Sequence, residues 1–536
     1  MYRLLNHISY SHIPRTKNSF FIRPFMIYEI KTHIKGLDTS KSVRPGDPPI
    51  KFLKMACDVI APVLTNLFNL CVQQSTFPKT LKEGCIIPIY KKGDPSISGN
   101  YRPISLLSPF SKIFEKCILN QLNSFFSKHN LINPNQFGFQ KGIFTEMAVS
   151  QIYNSIIVND LEAGMKVCSA FLYISKAFDS VNHKILITKL ALYGIRGPPS
   201  LLIKSFLTNR TQYTIINSHR SSSLQVTSGV PQGSVLGPLL FVMFINDLPL
   251  ITGMQTTLFA DDACLRVGHA SLEYIQSYVN SELQKVEDWM NQNKLNLNVS
   301  KTNFVLFNRS KQPVSISLQY NNTNLERTDV IRYLGVLIDD KLNFSAHITF
   351  VKNKLINCLW AICKLKNYTN PHTLKLVYYS MAYPFLQYCI TTWGGTFSSL
   401  LKTLFRKQKI IVRNILNQPY RSHSTPLFHT LELLKLEDIY KLQIGKLMKK
   451  KITDGKITNN TTTNNLILIA SVHSHNTRSS HNENYFLPTI RTNLGKTNFS
   501  FNGPKIWNSF PLNVKNSPNS QFKHVLKEHL LNNYKT

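Results

Sequence analysis

Acidic side chains are scarce in this sequence of 536 residues: 28 Asp and Glu stand against 62 Lys and Arg, a formal net charge of +34. A chain so one-sided repels itself unless a polyanion shares its charge, which argues for nucleic acid as partner. A membrane surface is the rival, but no basic amphipathic helix or lipidation signal supports it. Long apolar runs are missing too; none approaches the ~20 residues that cross a bilayer, and the N-terminus has no clean signal-peptide core. An intracellular protein, in the nucleus, the cytoplasm or both, is therefore expected. Cysteine is sparse, and its pattern is unpaired. Nine thiols without Cys-x-x-Cys spacing exclude a disulfide framework and are expected to be reduced and buried. No cysteine follows Cys389, which excludes a zinc knuckle, and His473, His475 and His481 are expected as exposed loop residues without zinc. No internal repeat is visible. The remainder, with 43% hydrophobic residues, suits a globular protein of two to four domains.

The informative stretch is Phe259-Ala260-Asp261-Asp262. Apolar runs at 254–259 and 263–267 read as two strands, with both acids at the tip of the hairpin. Asp-Asp in a turn is ordinarily just turn chemistry. Adjacent carboxylates at such a tip are also how nucleic-acid polymerases hold magnesium over a primer end, so the rest of the chain has to decide.

It does so through a series of segments in fixed order. Pro88-Ile89-Tyr90-Lys91-Lys92-Gly93-Asp94 comes first, then Asn100-Tyr101-Arg102-Pro103-Ile104-Ser105-Leu106-Leu107 and Asn135-Gln136-Phe137-Gly138-Phe139. Ser175-Lys176-Ala177-Phe178-Asp179-Ser180-Val181-Asn182-His183 follows, then Gly229-Val230-Pro231-Gln232-Gly233-Ser234-Val235-Leu236-Gly237-Pro238, the Asp-Asp turn and Tyr333-Leu334-Gly335-Val336. Each is a modest signal; together and in this order, from 86 to 336, they make the chain resemble the reverse transcriptase of non-LTR (LINE-type) retrotransposons of the Jockey-like group.

That resemblance implies an α+β right-hand polymerase with fingers, palm and thumb. Residues 1–50 read as an irregular basic segment, 70–343 as fingers and palm, and 344–457 as a helical thumb and connector. The stretch 458–465 is a polar linker and 466–536 a small C-terminal module. Strands are expected at 85–90, 101–107, 170–174, 302–307 and 332–338, and helices at 50–73, 112–128, 183–192, 272–290 and 521–531.

The resemblance also implies roles. Asp261 would be a metal ligand with Asp262 its hairpin neighbour, and Lys301 would lie near the leaving pyrophosphate, where it could act as general acid. Lys92 and Arg102 match contacts to the incoming triphosphate, and Phe178 the residue that excludes a ribose 2′-hydroxyl. Gln232 and Gly233 sit where backbone approaches nucleotide and template base. Tyr333, Leu334 and Gly335 match the primer grip, and Arg406, Lys407, Lys409 and Arg413 supply thumb cations for nucleic acid. Magnesium at a two-metal site is the implied cofactor, with deoxynucleoside triphosphates as substrates. An RNA template with its RNA–DNA or DNA duplex is the implied partner, and no membrane is involved. Taken alone, the cations read as solvated surface charges and Phe178 as core.

Three departures stand out. Tyr173 occupies the place of an Asp that, with the first Asp of the hairpin, would clamp both metals. A phenol with pKa near 10 is a poor magnesium ligand at neutral pH. Asp179 lies six residues on, roughly 20 Å of extended strand, and is not expected to substitute. Gln140 and Ile143 stand where arginines would meet the template backbone. The endonuclease that usually precedes the fingers is expected to be missing, because the fingers begin within the first hundred residues. Three functions follow as alternatives: an RNA-directed DNA polymerase impaired at position 173, a nucleic-acid-binding copy without catalysis, or a structural partner of another protein.

Overall fold

The computed structural model describes residues 10–309, 315–454, 466–469, 483–490 and 492–535. Two sheets carry the front half. In the first, β1 (Glu83–Tyr90) pairs antiparallel with β2 (Tyr101–Leu106), so that Ile89 faces Arg102 and Tyr90 faces Tyr101. The strand numbered β4 (Arg210–Ile216), which follows β3 (Lys166–Tyr173) in the chain, lies parallel to β1. The short β5 (His219–Arg220) and β6 (Leu224–Val226) close its edge.

The second sheet holds the acids. It contains β7 (Gln255–Phe259), β8 (Asp262–His269) and β9 (Asn303–Phe307), with β3 between β8 and β9 and the two-residue strand Glu326–Arg327 outside β9. Strand side chains alternate between faces, and here both faces are covered, which is why β3 reads as one apolar run. Cys168, Ala170 and Leu172 enter one core with the helices His183–Leu192, Gly237–Ile245 and Leu272–Asn293. Val167 and Phe171 enter the other core with the thumb helices.

The back half is helical: Ser345–Leu365, Pro371–Met381, Ser398–Ile415 and Leu436–Asp454. The mixed α/β hand is the architecture the sequence implies. Three local expectations fail. The first 50 residues are not irregular throughout: Ile27–Lys35 is a helix, and Ile13, Phe20, Phe25, Ile30 and Ile34 are core residues, because the helices Cys57–Gln73 and Pro109–Lys128 cover them. The expected strand at 332–338 is a hairpin, Val330–Tyr333 against Val336–Asp339, broken where Leu334 (φ 45°) and Gly335 (φ 85°) turn the chain. The described C-terminal residues form no separate core. Trp507, Phe510, Phe522 and Leu526 share one cluster with Ile439, Leu442 and Met448 of the thumb. The linker 458–465 and the three histidines at 473, 475 and 481 lie outside the described residues.

Eight of the nine cysteines are buried and Cys363 is exposed. Burial pushes the Cys117 and Cys168 thiols up to about 12, so they stay protonated at neutral pH. Among the described residues, no helix is long and apolar enough to cross a membrane.

Candidate active site

The hairpin between β7 and β8 turns on Ala260 and Asp261, and Asp262 is already the first residue of β8. Asp262 pairs in register with Phe259 on one side and Tyr173 on the other. Directly opposed strand residues project from the same face, so the phenol and the carboxylate share one edge of the sheet. Burial, then the charges of Asp261 and Asp262 in that order, raise the Tyr173 phenol above its ordinary value. It is a neutral hydroxyl at physiological pH. Burial raises Asp261 as well, opposed by Arg102 and Lys91. Burial and the adjacent Asp261 charge push Asp262 up to about 6.

Lys301 completes this edge. The loop before β9 is laced to the end of β3: Asn298 N donates to Tyr173 O at 2.8 Å, and Tyr173 N donates to Thr302 Oγ1 at 3.2 Å. Lys301 Nζ consequently lies 4.9 Å from the centre of the Tyr173 ring. Two carboxylates, a neutral phenol and an ammonium make a donor set short of what two divalent cations need. Among the described residues, no three His, Cys, Asp or Glu side chains gather where they could hold a metal. The residues present do not fit a two-metal centre.

The fingers supply the facing cations, with one change of residue. Lys91 and Arg102 are the charges that act on Asp261, and Lys91 also acts on Asp179. Lys92 is not among them. Lys91 directly follows β1 and stays tied to its partner strand, its N donating to Asn100 O at 2.8 Å, whereas Lys92 begins the bend. Asp179 accepts from Gln232 Nε2 at 2.9 Å and, with Ser105, Arg210 and Ser228, lines a cavity of about 340 Å³ beneath the Pro-Gln-Gly loop.

Gly233 has φ 129°, and a Cβ there would sit 2.4 Å from the Ser105 carbonyl. The close approach that demands glycine is therefore made by β2, while Ser105 N donates to Gln232 O at 2.7 Å. Phe178 is half-buried, stacked on Phe241 with centroids 4.6 Å apart and meeting Phe139 edge-on at 6.0 Å. Tyr333 opens the expected primer-grip turn with a buried side chain. Its ring is buried against Phe171 at 5.5 Å, within the core. The turn backbone it introduces is held instead by Tyr388, whose hydroxyl donates to Leu334 O at 2.6 Å.

On the thumb helix Ser398–Ile415, Leu404, Gln408, Ile411, Val412 and Ile415 are buried. Arg406, Lys409 and Arg413 recur at helical spacing on the outer side, and exposed Lys402 extends that row. Lys407 falls beside it. Arg413 is partly committed to the fold, donating to Ser422 O at 2.9 Å.

Two site residues had no legible role in the sequence. Gln136 is fully buried, and its Oε1 accepts from Gly138 N at 2.7 Å and Ala260 N at 3.1 Å. Phe137 N donates to Leu258 O and Leu258 N to Asn135 O, so the Asn-Gln-Phe-Gly segment runs as a partial strand along the Asp261–Asp262 hairpin. Buried Glu115 accepts from Val235 N and Leu236 N at 2.7 and 3.0 Å, fixing the far end of the Pro-Gln-Gly loop. Gln136 follows another polar residue, Asn135, and Glu115 sits next to Lys116, so only the distant partner shows what each does.

Residues 89–338 match the family model described as reverse transcriptase (RNA-dependent DNA polymerase). This segment belongs to the reverse transcriptase family. Similar proteins include the RNA-directed DNA polymerase from mobile element jockey of Drosophila melanogaster, 30% identical across 77% of this chain and 46% of the relative. The probable RNA-directed DNA polymerase from transposon BS of the same species is 29% identical over 78% of this chain and 47% of its own length. The X-element counterpart is 30% identical over 70% and 42%. The chain thus spans about half the length of the curated relatives it matches.

Proposed function

We propose that this reverse transcriptase chain keeps the nucleic-acid-binding hand of an RNA-directed DNA polymerase and has lost polymerisation at position 173. The observation that carries the reading is the register of Tyr173 with Asp262, which puts a neutral phenol where a third carboxylate would complete a magnesium site. Losing a ligand common to both metals removes nucleophile activation and charge neutralisation together, at least ~10³-fold in rate. The remaining parts support an otherwise preserved cleft. Lys91 and Arg102 act on Asp261, Lys301 lies over the Tyr173 ring, and Gln232 and Phe178 lie nearby. Binding would be driven by phosphate contacts of fingers and thumb to an RNA template and its duplex, in the nucleus or cytoplasm, with no metal required.

Primer extension on an RNA template tests the chemistry. The unaltered protein is expected at background, Tyr173→Asp should restore magnesium-dependent incorporation of deoxynucleotides, and Asp261→Asn in that revertant should abolish it. Robust extension by the unaltered chain would establish the alternative, an active polymerase despite Tyr173. Salt titration tests the binding: log affinity should fall linearly with log salt, and Ala at Lys402, Arg406 and Lys409 should flatten the slope by up to about one per contact.

A further inference from the structure

The segment after Gly138 places two large aromatic rings in solvent beside the catalytic hairpin. Phe139 is 56% exposed and Phe144 62% exposed. Phe139 also adopts a left-handed backbone, φ 56°, unusual for a bulky residue. The anchor just before it is rigid. Gly138 packs so closely that a Cβ there would sit 2.4 Å from Ala260 N, and Gln140 Nε2 donates to Gln136 O immediately after it. Phe139 is therefore presented at a fixed place, one edge contact from Phe178, with the rest of its ring uncovered. Cations interleave with the rings. Lys141 is exposed between them, and Lys450 of the helix Leu436–Asp454 reaches across to donate to Gly142 O at 3.3 Å, its Nζ 5.7 Å from the Phe144 ring centre.

Exposed aromatic rings alternating with cations on a pinned backbone are what a single strand of nucleic acid uses: bases stack on the rings while the cations meet the phosphates. We propose that the loop 139–144 is a stacking platform for unpaired template bases, with Phe139 and Phe144 as its two faces. The inference rests on the nucleic-acid-binding reading above and gives it a strand and a mode. It also gives the uncharged Gln140 and Ile143 a consequence. The rings would contribute through base faces and the cations through phosphates, so removing a ring should weaken binding without changing its salt slope.

The probe is an RNA strand annealed to a DNA primer with a six-nucleotide unpaired RNA extension carrying 2-aminopurine, compared with the same duplex blunt-ended. The full-length chain should bind the extended form more tightly and quench its 2-aminopurine. Phe139→Leu keeps apolar volume against Phe178 but removes the π face, and Phe144→Leu does the same at the second ring. Each should weaken binding of the extended probe about tenfold and lose the quench, while blunt duplex affinity and the salt slope stay unchanged. Phe139→Tyr should retain both. Equal binding of the two probes by the unaltered chain, or leucine variants that still quench, would overturn the platform and leave the binding hand intact. Failure to bind either probe would instead sink the reading of the whole hand. A loss shared equally by extended and blunt probes would mark the rings as structural and overturn the proposal.

Discussion

Removing the side chain that holds the Asp261–Asp262 hairpin should loosen that hairpin and little else. Gln136 Oε1 takes two amides, Gly138 N and Ala260 N. Ala260 has φ 53°, a conformation that costs a residue with a Cβ roughly 1–2 kcal/mol and persists where surroundings fix it. In Gln136→Leu both amides lose their acceptor. A buried unsatisfied donor costs about 1–3 kcal/mol, and deleting the Gln136 Nε2, which has no partner in its buried place, offsets part of the loss. A net local destabilisation of about 2 kcal/mol corresponds to roughly 30-fold faster opening. Amide hydrogen exchange across the β7–β8 hairpin reads this directly, with the helix Leu272–Asn293 as internal reference. Exchange at Ala260 and Asp261 should accelerate while the helix core does not. Gly138→Ala should act more strongly, since its Cβ would meet Ala260 N at 2.4 Å and the hairpin or the segment must move. Unchanged protection of the hairpin in both variants would refute the bracing role.

Lys189 and Asp247 form a fully buried ion pair at 2.6 Å, and Asp247 also accepts from Trp289 Nε1 and contacts His12 Nε2. Burial works against the Asp247 charge, but Lys189, His12 and Trp289 hold its carboxyl below the usual range. Lys189→Met should therefore cost about 3–5 kcal/mol in urea unfolding, because it strands that charge; a loss below about 1 kcal/mol would mean Asp247 is neutral. His347 is buried, and burial pushes its imidazole down to about 4. As pH falls from about 6.5 to 4 the unfolded chain takes up the proton first, so stability present above pH 6.5 is lost, by up to about 3 kcal/mol. His347→Phe should flatten that part of the pH profile of thermal unfolding, and an unaltered profile would show that the ring is not the source.

Much of the hand was determined by sequence alone. The acids of the hairpin lie between apolar runs of strand length, His183–Leu192 begins at an Asn that caps it, and Tyr173 stands in the palm strand whatever the fold around it. Such features are set within a few residues by periodicity, capping and turn chemistry, so they can be read locally. Tertiary structure decided the contacts between distant segments. That Lys91 acts on Asp261 depends on where the end of β1 meets the hairpin, and Tyr333 became core because Phe171 lies beneath its hairpin. The N-terminal helix and the C-terminal aromatics are ordered by palm and thumb surfaces far away in sequence. Gln136 shows the division most clearly. Its chemistry is visible in one letter, yet its function exists only where a turn 124 residues later brings Ala260 N within reach of its oxygen.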